Sequence, residues 1–280
     1  MIERIIGLLG RDRAWRIGRA LYMRARGEKD TNDIASNGEA ALIARVLKQV
    51  EDRSPVLFDV GANRGEWSEA ALACLAQLQR HAALHLFEAA PHAAAHLREQ
   101  FAAVPGLVVH GIALSDRSGT APFALVGPTA GTNSLEIGSH NPSVTTIEVP
   151  VEPGAQVAQS HGIGYIDLLK IDTEGHDFAV LSGFEPMLAA GQIGVVQFEY
   201  NSRWLAARRS LLDVFGLAEK TGYRVGRVAP DGIELFDRWN PECDRFFEDN
   251  YALVSPPAAH APLCREMRWS VSNTLEAAGG

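Results

Sequence analysis

From residue 56 onward the chain alternates short apolar runs with helical ones, and this alternation limits the fold more than any single motif does. VLFDVG (56–61) reads as a strand and EWSEAALACLAQLQRH as the helix after it. LHLFEA (84–89) is a second strand, PHAAAHLREQFAAV a helix opened by Pro91, and LVVHGIALS (107–115) a third strand. The loop GPTAGTNSLEIGSHNP (127–142) interrupts the rhythm. Then come the strand TTIEVPV, the strand IDLLKID (166–172), the helical DFAVLSGFEPMLAAG, the strand GVVQFEY (194–200) and the helix LLDVFGLAEKTG. YRVGRVA (223–229) and NYALVS (250–255) read as two closing strands. Apolar strands separated by helices make βαβ units, so the expected fold is α/β, a mostly parallel sheet with helices on both faces. The expected organisation is a basic amphipathic helical segment over 1–52, the α/β domain over 53–258 and a tail over 259–280.

Such sheets bind ligands at the carboxyl ends of their strands. Those ends carry Asp59 with Gly61, Ala62, Asn63 and Gly65; Glu88; Ser115 with Asp116; Asp172 with Glu174; and Glu199 with Asn201. A glycine-rich turn lets backbone approach a ligand closely. Here, however, Asn63 and Glu66 stand where a dinucleotide fingerprint needs its second and third glycines, which disfavours a nicotinamide oxidoreductase, and no Gly-Lys-Ser/Thr loop follows. Asp59 and Glu66 repel a pyrophosphate and suit a cationic ligand. Glu88 is placed to accept from a ribose diol and Asp116 from an adenine amine. A nucleoside that also bears a sulfonium and an ammonium group, S-adenosylmethionine, satisfies these acids together.

The net charge of −8 argues against a protein whose main partner is nucleic acid. Cys74, Cys243 and Cys264 form no metal or disulfide pattern and read as reduced thiols of a cytoplasmic protein.

The runs FDVGANRGEWS, LFEAAP, ALSDRSGT, GTNSL and, above all, IDLLKIDTEGHDFAVLSG followed by VVQFEYN resemble the FkbM family of S-adenosylmethionine-dependent methyltransferases, over roughly residues 55 to 202. The resemblance implies a Rossmann-like seven-stranded fold and O-methylation of hydroxyls, on sugars of glycans or on secondary metabolites. It also implies a cofactor turn of Asp59, Gly61, Asn63 and Gly65, with Glu88 on the ribose and Asp116 facing the adenine. The chain departs from the family before the KID strand, where VEPGAQVAQSHG replaces a stretch that usually carries paired aspartates.

For the chemistry, two arrangements are expected to be open: His176 or Asp172 as general base without metal, or Asp172, Glu199 and Asn201 as oxygen ligands of Mg²⁺. Lys170, inside an apolar strand, is expected to pair with an acid rather than to react. Asn133 and Ser134 in the long loop, Glu174, and Arg203 with Trp204 are the expected acceptor contacts, the tryptophan by stacking on a sugar ring. The acceptor is expected to be a saccharide, with a non-sugar metabolite or binding without turnover as alternatives. The segment MIERIIGLLGRDRAWRIGRALYMRARGEKD sets apolar residues among seven arginines. It is expected to cap the domain or a second subunit, or to touch an anionic inner-membrane surface or a polyanionic carrier.

Overall fold

A computed structural model describes residues 2–28, 33–126, 133–136, 144–259 and 261–278. Of the long loop, only 133–136 and the flanks are therefore described; Gly127, Pro128, Gly131, Gly138 and Pro142 lie outside. The helices are α1 (Ile2–Leu9), α2 (Arg11–Ala25), α3 (Glu39–Gln49), α4 (Glu66–Gln77), α5 (Pro91–Gln100), α6 (Gly154–Ser160), α7 (Asp177–Gly183), α8 (Glu185–Ala189), α9 (Leu211–Thr221) and α10 (Pro256–Ala259). The strands are β1 (Val56–Val60), β2 (Ala83–Phe87), β3 (Leu107–His110), β4 (Ala113–Ser115), β5 (Gly119–Leu125), β6 (Thr145–Pro153), β7 (Ile166–Ile171), β8 (Ile193–Tyr200), β9 (Arg224–Ala229), β10 (Gly232–Phe236), β11 (Asp249–Val254), β12 (Cys264–Trp269) and β13 (Leu275–Ala277).

The main sheet holds ten strands in the order β13-β12-β10-β9-β11-β8-β7-β1-β2-β3. β1, β2, β3, β7 and β8 run parallel, and β11 runs antiparallel between β8 and β9. The expected seven strands are thus present as β3-β2-β1-β7-β8-β11-β9, but β10, β12 and β13 extend that edge into a mixed sheet. Residues 264–269 and 275–277, read as part of a tail, are strands of it. The run 107–115 is also two strands rather than one, because β4 leaves the main sheet to pair with β6 in a second sheet, β4-β6-β5.

The periodicities explain the layers. Every residue of β7 is buried, as a central strand covered on both faces requires. α3 turns Leu42, Ile43, Val46 and Leu47 inward, and α4 turns Trp67, Ala71 and Leu75. Both helices join one core cluster on one face of the sheet. α7, α8 and α9 join the other, around Phe58, Phe184 and Phe198. The pattern read as one helix over 177–191 breaks at Phe184, which Pro186 follows at the start of α8. Gly183 lets α7 approach β4 closely, since an added Cβ would stand 2.0 Å from the Ser115 carbonyl oxygen.

Three histidines share one pocket at the β2–β3 edge. His85 Nδ1 lies 3.0 Å from His110 Nε2, and the His161 ring meets both edge-on. One ring nitrogen of the hydrogen-bonded pair must stay unprotonated, and burial pushes His85 and His110 down to about 4. A lowered pKa means stability that is complete above about 6.5 and is lost as pH falls toward about 4. The thermal midpoint is therefore expected to drop across that window. His85→Phe, which keeps the stack on Phe58, is expected to flatten the dependence; superimposable pH curves for the two proteins would contradict this.

Candidate active site

The turn after β1 is built by backbone. The Gly61 and Ala62 N–H groups donate to the Phe87 carbonyl at 2.9 and 3.1 Å, which locks the turn to the end of β2. Gly61 has φ 83° and passes so close to the end of β7 that an added Cβ would stand 1.9 Å from the Asp172 carbonyl oxygen. The Asn63 N–H donates to Glu88 Oε2 and the Ala90 N–H to Glu88 Oε1, both at 2.8 Å. Burial pushes the Glu88 carboxyl up and these two donors pull it back, leaving a second lone pair on each oxygen for a ligand. Asp59 lies beneath the turn. It accepts from Ser68 Oγ at 2.6 Å, and burial raises it to about 6 against the pull of Lys170.

Two cavities meet at this turn. The first lies between Gly61, Phe87, Glu88, the Ile112–Leu114 wall and Asp172–Glu174. Its apolar walls, Phe87, Ile112, Leu114, Phe123 and Leu135, beside the Glu88 carboxylate suit a nucleoside with a vicinal diol. The second, wider and more polar, shares Gly61, Asn63, Asp172 and Glu174 with the first, and Glu39, Glu199, Glu248, Trp67 and Asn250 also line it.

Between them sits a buried ammonium. Lys170 Nζ is 2.9 Å from Asp172 Oδ2 and 4.0 Å from Glu39 Oε2. Burial opposes its charge, but Asp172, Glu39 and Asp59 outweigh that cost and hold it protonated above the ordinary lysine range. Burial likewise opposes the charge on Asp172, yet Lys170 and a hydrogen bond from Glu199 keep its carboxyl below the usual range. Burial and the neighbouring Asp172 charge push Glu199 up to about 10, so at neutral pH it is a carboxylic acid that donates to Asp172.

Glu39 was not legible as a site residue. It opens α3 and accepts from Gln197 Nε2 at 2.5 Å, Asn37 Nδ2 at 2.6 Å and Asn250 Nδ2 at 3.3 Å. Nothing near it in sequence marks this role; its partners on β7, β8 and β11 reach it only in the folded sheet. The expected pairing of Lys170 with an acid is what the structure shows.

Other expected residues take different places. His176 lines the first cavity, but Ser115 Oγ holds its Nε2 at 3.0 Å and Glu136 its Nδ1 at 2.9 Å, so neither ring nitrogen is open to take a proton from an acceptor. Ser115 is buried against His176 and does not line either cavity. Asp116 turns outward beside Arg117, because the chain leaves the main sheet at β4. Ser134 Oγ donates to the carbonyls of Thr173 and Glu174, pinning the turn after β7, while Asn133 lines the first cavity. Trp204 is fully buried and donates from Nε1 to the Glu199 carbonyl at 3.0 Å, a packing role that leaves no face for a sugar. Arg203 pairs with Glu174 at the rim of the second cavity.

The donors expected for Mg²⁺ do not fit that ion. Asn201 Oδ1 accepts from the Arg203 N–H at 2.9 Å, its Nδ2 donates to Glu199 at 3.0 Å, and Lys170 already neutralises Asp172. Among the described residues no group of three or more His, Cys, Asp or Glu side chains has a metal-holding arrangement.

Two predictions follow from this geometry. Gly61→Ala is expected to abolish ligand binding at the turn and lower the thermal midpoint, since it drives a methyl into the Asp172 carbonyl; wild-type binding would refute the close approach. Asp172→Asn is expected to lower the melting temperature by removing a counter-charge from buried Lys170, whereas Glu199→Gln, which keeps a neutral donor, is expected to melt near wild type at neutral pH. A larger loss from Glu199→Gln would overturn the protonation assignment.

The family model for the methyltransferase FkbM domain matches residues 59–225, from the carboxylate under the turn through β7 and β8. No curated protein matches the chain. Among solved structures it is similar to methyltransferase FkbM from Methylobacillus flagellatus KT, at 14% identity and TM-score 0.47, over 78% of this chain and 48% of that one. It is also similar to precorrin-6y C5,15-methyltransferase from Geobacter metallireducens, at 10% identity and TM-score 0.39, over 76% of this chain and 87% of that one. The chain thus spans about half the length of the Methylobacillus structure. With the family model covering more than half of the chain, this protein belongs to the FkbM methyltransferase family.

Proposed function

We propose that the protein transfers a methyl group from S-adenosylmethionine to a hydroxyl of a saccharide. The observation that carries this reading is the position of ionised Asp172 on the shared wall of a mostly apolar cavity that holds Glu88 and a larger polar one. The residues present fit the cofactor. Glu88 offers two lone pairs to a ribose diol, Gly61 brings backbone close, and Asn63 and Ala113 flank the nucleoside cavity. Thr173 Oγ1 and Trp67 Nε1, from residues lining the first and second cavities, are buried with no hydrogen-bond partner among the described residues. When bound, S-adenosylmethionine supplies a methyl group activated by a sulfonium.

The protein's own contribution is alignment. Asp172 accepts the acceptor hydroxyl and orients its oxygen, and takes the proton as the oxygen loses it. Its lowered pKa makes it a weak base, so orientation outweighs proton abstraction in this account. Glu199 donates to the same carboxylate, and Lys170 fixes its position. Acids and amides dominate the second cavity, which suits the many hydroxyl donors of a sugar.

Transfer of labelled methyl from S-adenosylmethionine is expected with neutral saccharides, and at least about tenfold less with uronates or sugar phosphates, which the carboxylates of the second cavity repel. Glu88→Ala is expected to weaken cofactor binding by roughly tenfold or more, for the loss of about 1.5–3 kcal/mol of hydrogen bonding to a charged group. Absence of S-adenosylmethionine binding by calorimetry would end the cofactor reading. Preferential methylation of a non-sugar hydroxyl, or of carbon, would end the acceptor reading.

A further inference from the structure

The first two helices present an apolar face that the rest of the described protein does not cover. Along α2, steps of 100° set Trp15, Ile17 and Leu21 within one arc, which Arg11 enters and whose Tyr22 packs on Phe247 and donates to Glu242, with Arg13, Arg16, Arg19 and Arg24 on the remaining circumference. No residue of α2 is buried; Trp15 is 72% and Leu21 68% exposed, and on α1 Leu8 is 87% exposed. The attachment to the domain is at the C-terminal half of α2 and just beyond it, through Arg19, Tyr22 and Arg26, and leaves Trp15, Ile17 and Leu21 exposed. Arg26 pairs with Glu28 at 2.5 Å and Glu242 at 2.8 Å, and Arg19 lies over the Phe247 ring at 5.1 Å. Solvent-facing tryptophan and leucine at this density are costly for a surface with no partner.

Charge identifies the partner. Residues 1–26 hold seven arginines against Glu3 and Asp12, in a chain whose net charge is −8. Two copies of this face brought together would set arginine flanks against each other, which disfavours self-association. An anionic bilayer instead takes the apolar arc below its headgroups and the guanidinium groups among them, with the long arginine stems reaching up along the helix. The 15 residues of α2 are too few to span a bilayer, and no helix among the described residues is long and apolar enough to cross one. α2 therefore lies in the plane of the surface.

We propose that α1 and α2 form an in-plane anchor that holds the enzyme on anionic lipid. This does not rest on the choice of methyl acceptor. The test is sedimentation of the full chain with vesicles of phosphatidylcholine alone, or with about one third phosphatidylglycerol. The proposal expects binding to the anionic vesicles, at least about tenfold weaker binding to the neutral ones, and release as salt rises. The double variant Trp15→Glu with Leu21→Glu is expected to stay in the supernatant while keeping the wild-type circular dichroism and melting temperature; Arg13, Arg16 and Arg24→Gln together are expected to erase the preference for anionic lipid. Lack of binding to anionic vesicles, equal binding to both kinds, or sedimentation of the double variant with the vesicles would each overturn it. So would concentration-dependent dimers that Leu21→Glu dissociates, which would make a second copy the partner of this face.

Discussion

A buried ammonium organises this molecule. Lys170 sits in the middle of a strand with no exposed residue, where an uncompensated charge would not survive, and its neutralisation recruits groups from separate elements: Glu39 from α3, Asp59 from β1 and Asp172 from the end of β7. Glu39 is in turn held by Gln197 on β8 and Asn250 on β11. The helix preceding the domain is thereby tied to the centre of the sheet, and the strands on which the site depends are held in register by one charge network.

The same network shapes the candidate site at the carboxyl ends of the central strands. β1 and β7 are adjacent, and Gly61 packs against the Asp172 carbonyl, so the turn after β1 and the Asp172 residue proposed to meet the acceptor are parts of one contact. Asp177 completes the frame by accepting from the Thr173 and Gly175 N–H groups at 3.1 and 3.0 Å. Glu174 adopts φ 59° in that turn, and its side chain reaches Arg203 at the rim of the second cavity.

What the amino-acid sequence revealed was the local part of this design. The strand-end acids Asp59, Glu88, Asp172 and Glu199 could be found because strand periodicity alone locates strand ends, and all four line the two cavities. Asp116 was misplaced because one apolar run concealed the crossing from the main sheet to the second at residues 111–112. Trp204 was misplaced because a short 3₁₀ turn, Ser202–Leu205, rotates it into the core. Glu39 was beyond reach, since its partners on the sheet, Lys170, Gln197 and Asn250, lie more than 100 residues away and are assembled only by strand pairing. The added strands β12 and β13 are hidden in the sequence for a related reason. β12 alternates charged, exposed residues with buried ones and β13 has three residues, so neither shows the apolar run that marks the central strands.

The central claim is that a nucleoside occupies the cavity beside Glu88 with its reactive sulfur directed at Asp172. A crystal structure with S-adenosylhomocysteine, the demethylated cofactor, tests it most directly. The account predicts both ribose hydroxyls on Glu88 and the sulfur at the junction of the two cavities, facing the Asp172 carboxylate. A nucleoside bound elsewhere, or a sulfur turned away from that junction, would contradict it.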